Sequence, residues 1–182
     1  MTFYRVGVWS GMKTARLLLV DDDQDNLEIL TVILRETYHV LSYACAEEAL
    51  TALQAIKPDL LLLDIGMAPV DGLQCLKAIR AMPGYGSIPA IALTAYARDA
   101  ERKAFLASGF QAVVTKPILD HQELFAEITR SLAAVTARAT TGQFGDPGYD
   151  ESGMNPRALT GSTVERMIPH CGFGDPATPR PA

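Results

Sequence analysis

The chain has 182 residues, 48% of them hydrophobic and 20% charged, which gives room for one sizeable domain and little for a second. Its net charge of −5, with Lys and Arg scattered along the chain, excludes a broad electrostatic grip on nucleic acid or anionic lipid. Cys45, Cys75 and Cys171 are an odd, widely spaced set that argues against a disulfide framework, and no apolar run reaches the roughly 20 residues that span a bilayer, so the expected compartment is the cytoplasm.

Residues 1–12 show no period and read as a loose extension, with Met12 an alternative start. The run Arg16-Leu17-Leu18-Leu19-Val20 reads as a first strand and ends in Asp21-Asp22-Asp23. Leu27, Leu30 and Leu34 with Ile29 and Ile33 then follow a helical period, Asp23 being suited to the N-cap and Asp25 to the first turn. A strand is expected over Tyr38–Tyr43 and a helix over Glu47–Ile56, stopped by Lys57-Pro58 because the residue before proline avoids the α region. Leu60-Leu61-Leu62-Leu63 is apolar throughout, the mark of a strand buried on both faces, and Asp64 stands where it ends.

Asp71-Gly72 opens a helix carrying Leu73, Leu76 and Ile79 on one face and closed by Met82-Pro83-Gly84. Ile88–Leu93 reads as a fourth strand followed by Thr94, Asp99–Ala107 as a helix with Gly109 at its stop, and Ala112–Thr115 as a fifth strand followed by Lys116-Pro117. The last helix has Asp120 and Glu123 in capping-box spacing and Leu124, Ile128 and Leu132 on one face. Five strands alternating with five helices through short connections predict an α/β fold, a doubly wound five-stranded parallel sheet with helices on both faces, over residues 13–136. Residues 137–182 are rich in Pro and Gly without an amphipathic face and are expected to be a disordered tail, apart from a weak helix around 161–168. His170-Cys171 in that tail has no partner ligands for a metal.

The ends of parallel strands line the ligand crevice of such a fold. Asp21, Asp22, Asp23 and Asp64 would crowd carboxylates there, and a hard divalent cation such as magnesium suits an all-oxygen set of this kind. Thr94 adds a hydroxyl and Lys116 an ammonium, a combination matched to a phosphoryl group, whose transfer needs positioning and cationic stabilisation more than acid–base chemistry. A carboxylate can itself be the nucleophile and become an acyl phosphate.

Four segments in order, Leu18-Leu19-Val20-Asp21-Asp22-Asp23, Pro58 to Met67 with Val70-Asp71-Gly72, Ile91-Ala92-Leu93-Thr94-Ala95, and Gly109-Phe110 leading to Thr115-Lys116-Pro117, resemble the receiver domains of two-component response regulators, the CheY-like superfamily of flavodoxin-like (βα)5 fold. The resemblance implies that Asp64 accepts a phosphoryl group from a phosphohistidine on a sensor histidine kinase or a phosphotransfer protein. It further implies that Asp22 binds magnesium directly, Asp21 through water, Asp64 and the Gly66 carbonyl as further ligands, that Thr94 is the switch hydroxyl, and that Lys116 pairs with the phosphate ahead of a cis bond to Pro117. Such a protein is a signalling phosphoacceptor, catalysing only its own phosphotransfer and slow autodephosphorylation. Gly66 and Tyr96 stand where the family tunes the phosphate lifetime, and here they predict a long-lived acyl phosphate.

Two positions depart from the family pattern: Ala68-Pro69 shifts a proline by one residue, and Val113 replaces a common aromatic coupled to the threonine switch. An Asp-nucleophile phosphatase of the haloacid-dehalogenase kind would need an acid where Gly66 stands, and a flavodoxin would need a Ser/Thr/Gly-rich loop where Asp21-Asp22-Asp23 stand. The remaining alternative is a receiver-shaped module that signals without phosphorylation. No basic helical module follows the fifth helix, so the expected protein is a single-domain regulator acting by protein contact, or a receiver serving as a relay for a multi-component kinase. Its downstream target is open, and a phosphorylation-dependent homodimer is compatible with it. The expected reading surface is helix four, strand five and helix five.

Overall fold

The computed structural model describes residues 15–140 except 96, 97 and 119. Tyr96, Cys171, His170 and the helix expected over 161–168 therefore lie outside the described residues. Ten elements alternate along the chain: β1 (Arg16–Val20), α1 (Gln24–Arg35), β2 (His39–Tyr43), α2 (Ala46–Ala52), β3 (Leu60–Asp64), α3 (Gly72–Ala81), β4 (Ala90–Thr94), α4 (Asp99–Ala107), β5 (Ala112–Thr115) and α5 (His121–Thr140). The five strands form one parallel sheet in the order β2-β1-β3-β4-β5. The chain first winds outward from β1 to β2, then crosses back to β3 on the other side of β1, so the switch point lies between β1 and β3.

Side-chain alternation along the strands divides the core into two layers. Leu18, Val20, Leu61, Leu63 and Ala92 face α2 and α3, packing on Ala49, Leu50, Cys75, Leu76 and Ile79. Leu17, Leu19, Leu60, Leu62 and Leu93 face α1 and α5, packing on Leu27, Leu30, Leu34, Leu124 and Ile128. Every residue of β3 and β4 is buried, as the apolar runs required, and burying a leucine of this kind is worth roughly 1.5–3 kcal/mol.

Three local expectations shift. α2 ends at Ala52, well before Ile56, because the following turn tightens: the N–H groups of Gln54 and Ala55 donate to the carbonyls of Thr51 and Ala52, and the Tyr85 hydroxyl donates to the Leu53 and Ile56 carbonyls. α5 continues to Thr140, beyond the point near Ala137 where the sequence pattern stops. Ile29, grouped with the inward residues of α1 by its spacing, is 57% exposed, since the buried stripe is the one made by Leu27, Leu30, Thr31 and Leu34.

Candidate functional site

The register of the sheet brings the site residues together. Val20 pairs with Leu63, which sets Asp21, just past β1, beside Asp64, the last residue of β3. Thr94 ends β4 and pairs with Thr115 of β5, so Lys116 leaves the sheet at the same edge, its N–H donating to the Thr94 carbonyl at 2.7 Å. Asp21, Asp64 and Thr94 are buried, whereas Asp22 is exposed.

Local hydrogen bonds orient each carboxylate. Asp23 is the N-cap of α1 and accepts from the N–H groups of Asp25 and Asn26, as its placement before the leucine stripe required. Asp21 Oδ1 accepts from the Asp23 N–H at 3.0 Å, and Asp64 Oδ1 from the Gly66 N–H at 3.1 Å. Asp22 Oδ2 accepts from the Ala68 N–H at 3.2 Å, which ties the loop after β3 to the loop after β1. That loop holds a cis bond at Ala68–Pro69, and the expected cis bond at Lys116–Pro117 is present as well.

Lys116 Nζ donates to Asp21 Oδ2 at 2.6 Å and lies 3.0 Å from Asp64 Oδ2. Burial raises the Asp21 carboxyl above its ordinary value; hydrogen bonds from Lys116 and Asp23 and the Lys116 charge offset this in part, and Asp64 repulsion adds to it. Burial by itself would lower the Lys116 ammonium, but its hydrogen bonds to Asp21 and Asp64 and the attraction of both carboxylates hold it above 10.5. The two neighbours thus shift for one reason: two acids share one base in a poorly solvated crevice.

Ligand oxygens of Asp21, Asp22 and Asp64 lie within 4.8 Å of one another. Three carboxylates this close, with Asp22 open to solvent, fit a hard cation that keeps part of its water shell. The Gly66 position leaves the approach to Asp64 open: a Cβ there would meet the Asp64 carboxylate oxygens at 3.6 and 3.7 Å, ordinary contact distances.

Other contributors have no mark in the sequence pattern. Gly72, expected only as a helix opener, sits so close behind β3 that a Cβ would meet the Asp64 carbonyl oxygen at 2.4 Å. Arg102 of α4 donates from Nη1 to the Val113 carbonyl at 3.1 Å, while the Val113 side chain is buried in the core layer shared with α2 and α3. Hydrophobic periodicity reports faces, and it carries no information on such backbone approaches.

An acidic crevice at the switch point of a doubly wound five-stranded sheet, bridged by a lysine from beyond the fifth strand, is the arrangement of a flavodoxin-like signalling domain. Residues 17–129 match the response regulator receiver domain family, and the chain belongs to that family. A 14.6 kDa protein of Leptolyngbya boryana is 41% identical over 103 residues, covering 56% of this chain and 79% of that protein. The sensor protein GacS of Pseudomonas syringae is 35% identical over 114 residues, which is 60% of this chain but 13% of GacS, so the likeness there is to one part of a much longer protein. Among solved structures, the receiver domain of a sensor histidine kinase from Pseudomonas aeruginosa, with magnesium coordinated in its active-site cleft, superposes with a TM-score of 0.60 at 28% identity over 66% of this chain and 99% of that one. Receiver domains are signalling phosphoacceptors of two-component systems and work with sensor histidine kinases. No helix among the described residues is long and apolar enough to cross a membrane.

Proposed function

We propose that Asp64 accepts a phosphoryl group from a phosphohistidine donor and holds it as a signal. The observation that carries this reading is the single ammonium of Lys116 bound at once to Asp21 at 2.6 Å and to Asp64 at 3.0 Å, which leaves an anion-neutralising group beside the nucleophile. In the transfer, the P–N bond of the donor breaks as a bond forms from an Asp64 carboxylate oxygen to phosphorus, and the histidine nitrogen takes up a proton. Lys116 and the Thr94 hydroxyl offset charge on the phosphoryl oxygens. Asp21, Asp22, Asp64 and the Gly66 carbonyl would hold magnesium, which would supply positive charge to offset that of the carboxylates and the phosphoryl group.

The donor is a sensor histidine kinase or a phosphotransfer protein, a chemistry of the cytoplasm, and the output is a protein contact made by the receiver domain, residues 13–136. Gly66 supplies no side chain to orient water, which supports slow loss of the phosphate. Incubation with magnesium and acetyl phosphate or a phosphohistidine donor should label the protein once, with an acid-stable, base-labile phosphate absent from Asp64→Asn. Multiple turnover of a phosphoester would instead indicate a phosphatase, and no label under any donor would indicate a module that signals unphosphorylated.

A further inference from the structure

β2 is an edge strand, paired on one side to β1 alone. In a parallel ladder the N–H and C=O of each residue point the same way and successive residues alternate. The His39 N–H donates to the Ala15 carbonyl and the Tyr43 carbonyl accepts from the Asp21 N–H, so His39, Leu41 and Tyr43 face β1 and the main chain of Val40 and Ser42 faces outward. Between this edge and α1 runs an open groove of about 340 Å3 lined by Leu27, Glu28, Thr31, Val32, Arg35 and Ser42. Val32 is 67% exposed, and Ile29 beside it 57%. Thr31 is 7% exposed and its hydroxyl finds no hydrogen-bond partner among the described residues.

The exposed face of α1 is complementary to itself. Glu28 and Arg35 lie two turns apart, about 10.5 Å along the axis, with Val32 between them, and neither is in an ion pair among the described residues. Two such faces laid antiparallel set each Glu28 opposite the other Arg35 and bring the two valines together. Antiparallel pairing of two β2 edges about a two-fold axis produces that arrangement, because it joins the sheets and sets the α1 helices side by side in opposite directions. We propose that the occupant of the α1–β2 surface is a second copy of this chain, in an isologous dimer made by β2–β2 pairing and the reciprocal Glu28–Arg35 contacts. The surface lies on α1 and β2, away from α4, and the dimer forms without phosphorylation.

Sedimentation velocity on the full chain, without phosphodonor, across a concentration series tests this. The expected result is a concentration-dependent dimer, weakened at least tenfold by either E28R or R35E and restored by the double exchange E28R/R35E. The double variant has the wild-type composition, and circular dichroism of all three variants checks that each is folded. In parallel, the amides of Val40 and Ser42 should exchange slowly only at concentrations where the dimer forms. A monomer at every concentration, or a dimer indifferent to both single reversals or not restored by the exchange, would overturn the proposal. So would slow exchange of those two amides in a monomer, which would mean that another segment of the chain covers the edge.

Discussion

Lys116 holds two buried carboxylates with one ammonium, at 2.6 and 3.0 Å, and its removal leaves them facing each other. In metal-free protein at neutral pH, Lys116→Met should cost about 3 kcal/mol of stability, read from urea unfolding, because breaking a buried ion pair strands its partners. The pH dependence has a definite sign. The ammonium is held above 10.5 in the fold, so its stabilising contribution is full below that value and is lost as pH rises through the higher folded value. The stability gap between wild type and Lys116→Met should therefore stay level from neutral pH to 10.5 and narrow above it; a gap unchanged in strong alkali would refute the assignment. Asp21 acts in the same sense in an acidic window, since a carboxyl raised above 3.8 favours the protonated fold and gives up stability as pH climbs past that value.

At the scale of elements, the position of Asp64 depends on how closely α3 approaches the end of β3. Gly72 opens α3 with its Cα over the Asp64 carbonyl, where a Cβ would come within 2.4 Å of backbone oxygen that cannot swing aside. Gly72→Ala should destabilise the protein by about 1–3 kcal/mol and lower the rate of labelling by acetyl phosphate, because α3 must move away from β3. Gly66→Ala, whose Cβ meets only side-chain atoms at 3.6 Å or more, should leave the urea midpoint almost unchanged. Equal effects of the two substitutions on stability would show that the close approach is not what selects glycine. The same distinction explains which elements could be foreseen. α1 and α3 declare themselves by Asp caps and apolar stripes, whereas the early end of α2 is produced by the Tyr85 hydroxyl reaching back across the fold to Leu53 and Ile56.

For the molecule as a whole, a ligand that binds only the folded state adds stability in proportion to the logarithm of its concentration over Kd. At ten times Kd, magnesium should raise unfolding free energy by about 1.4 kcal/mol. Asp22→Asn should remove most of that increment while changing the metal-free midpoint little, since Asp22 is exposed and its bond to the Ala68 N–H needs only an acceptor oxygen. A wild-type midpoint insensitive to magnesium would count against the carboxylate cluster as a cation site.

Patterning alone was sufficient for the sheet, its parallel sense and the convergence of Asp21, Asp64, Thr94 and Lys116 at one edge. Those follow from local periodicity and from the requirement that wholly apolar strands be covered on both faces. The outward turn of Ile29, the bond from Ala68 to Asp22, the close approach of Gly72 and the shared grip of Lys116 came from packing between segments distant in the chain. Asp64, legible as a carboxylate ending an apolar run, acquires its chemistry there: what surrounds it is contributed by the residues just past β1, by the end of β4 and by the residue beyond β5, and only the fold sets those distances.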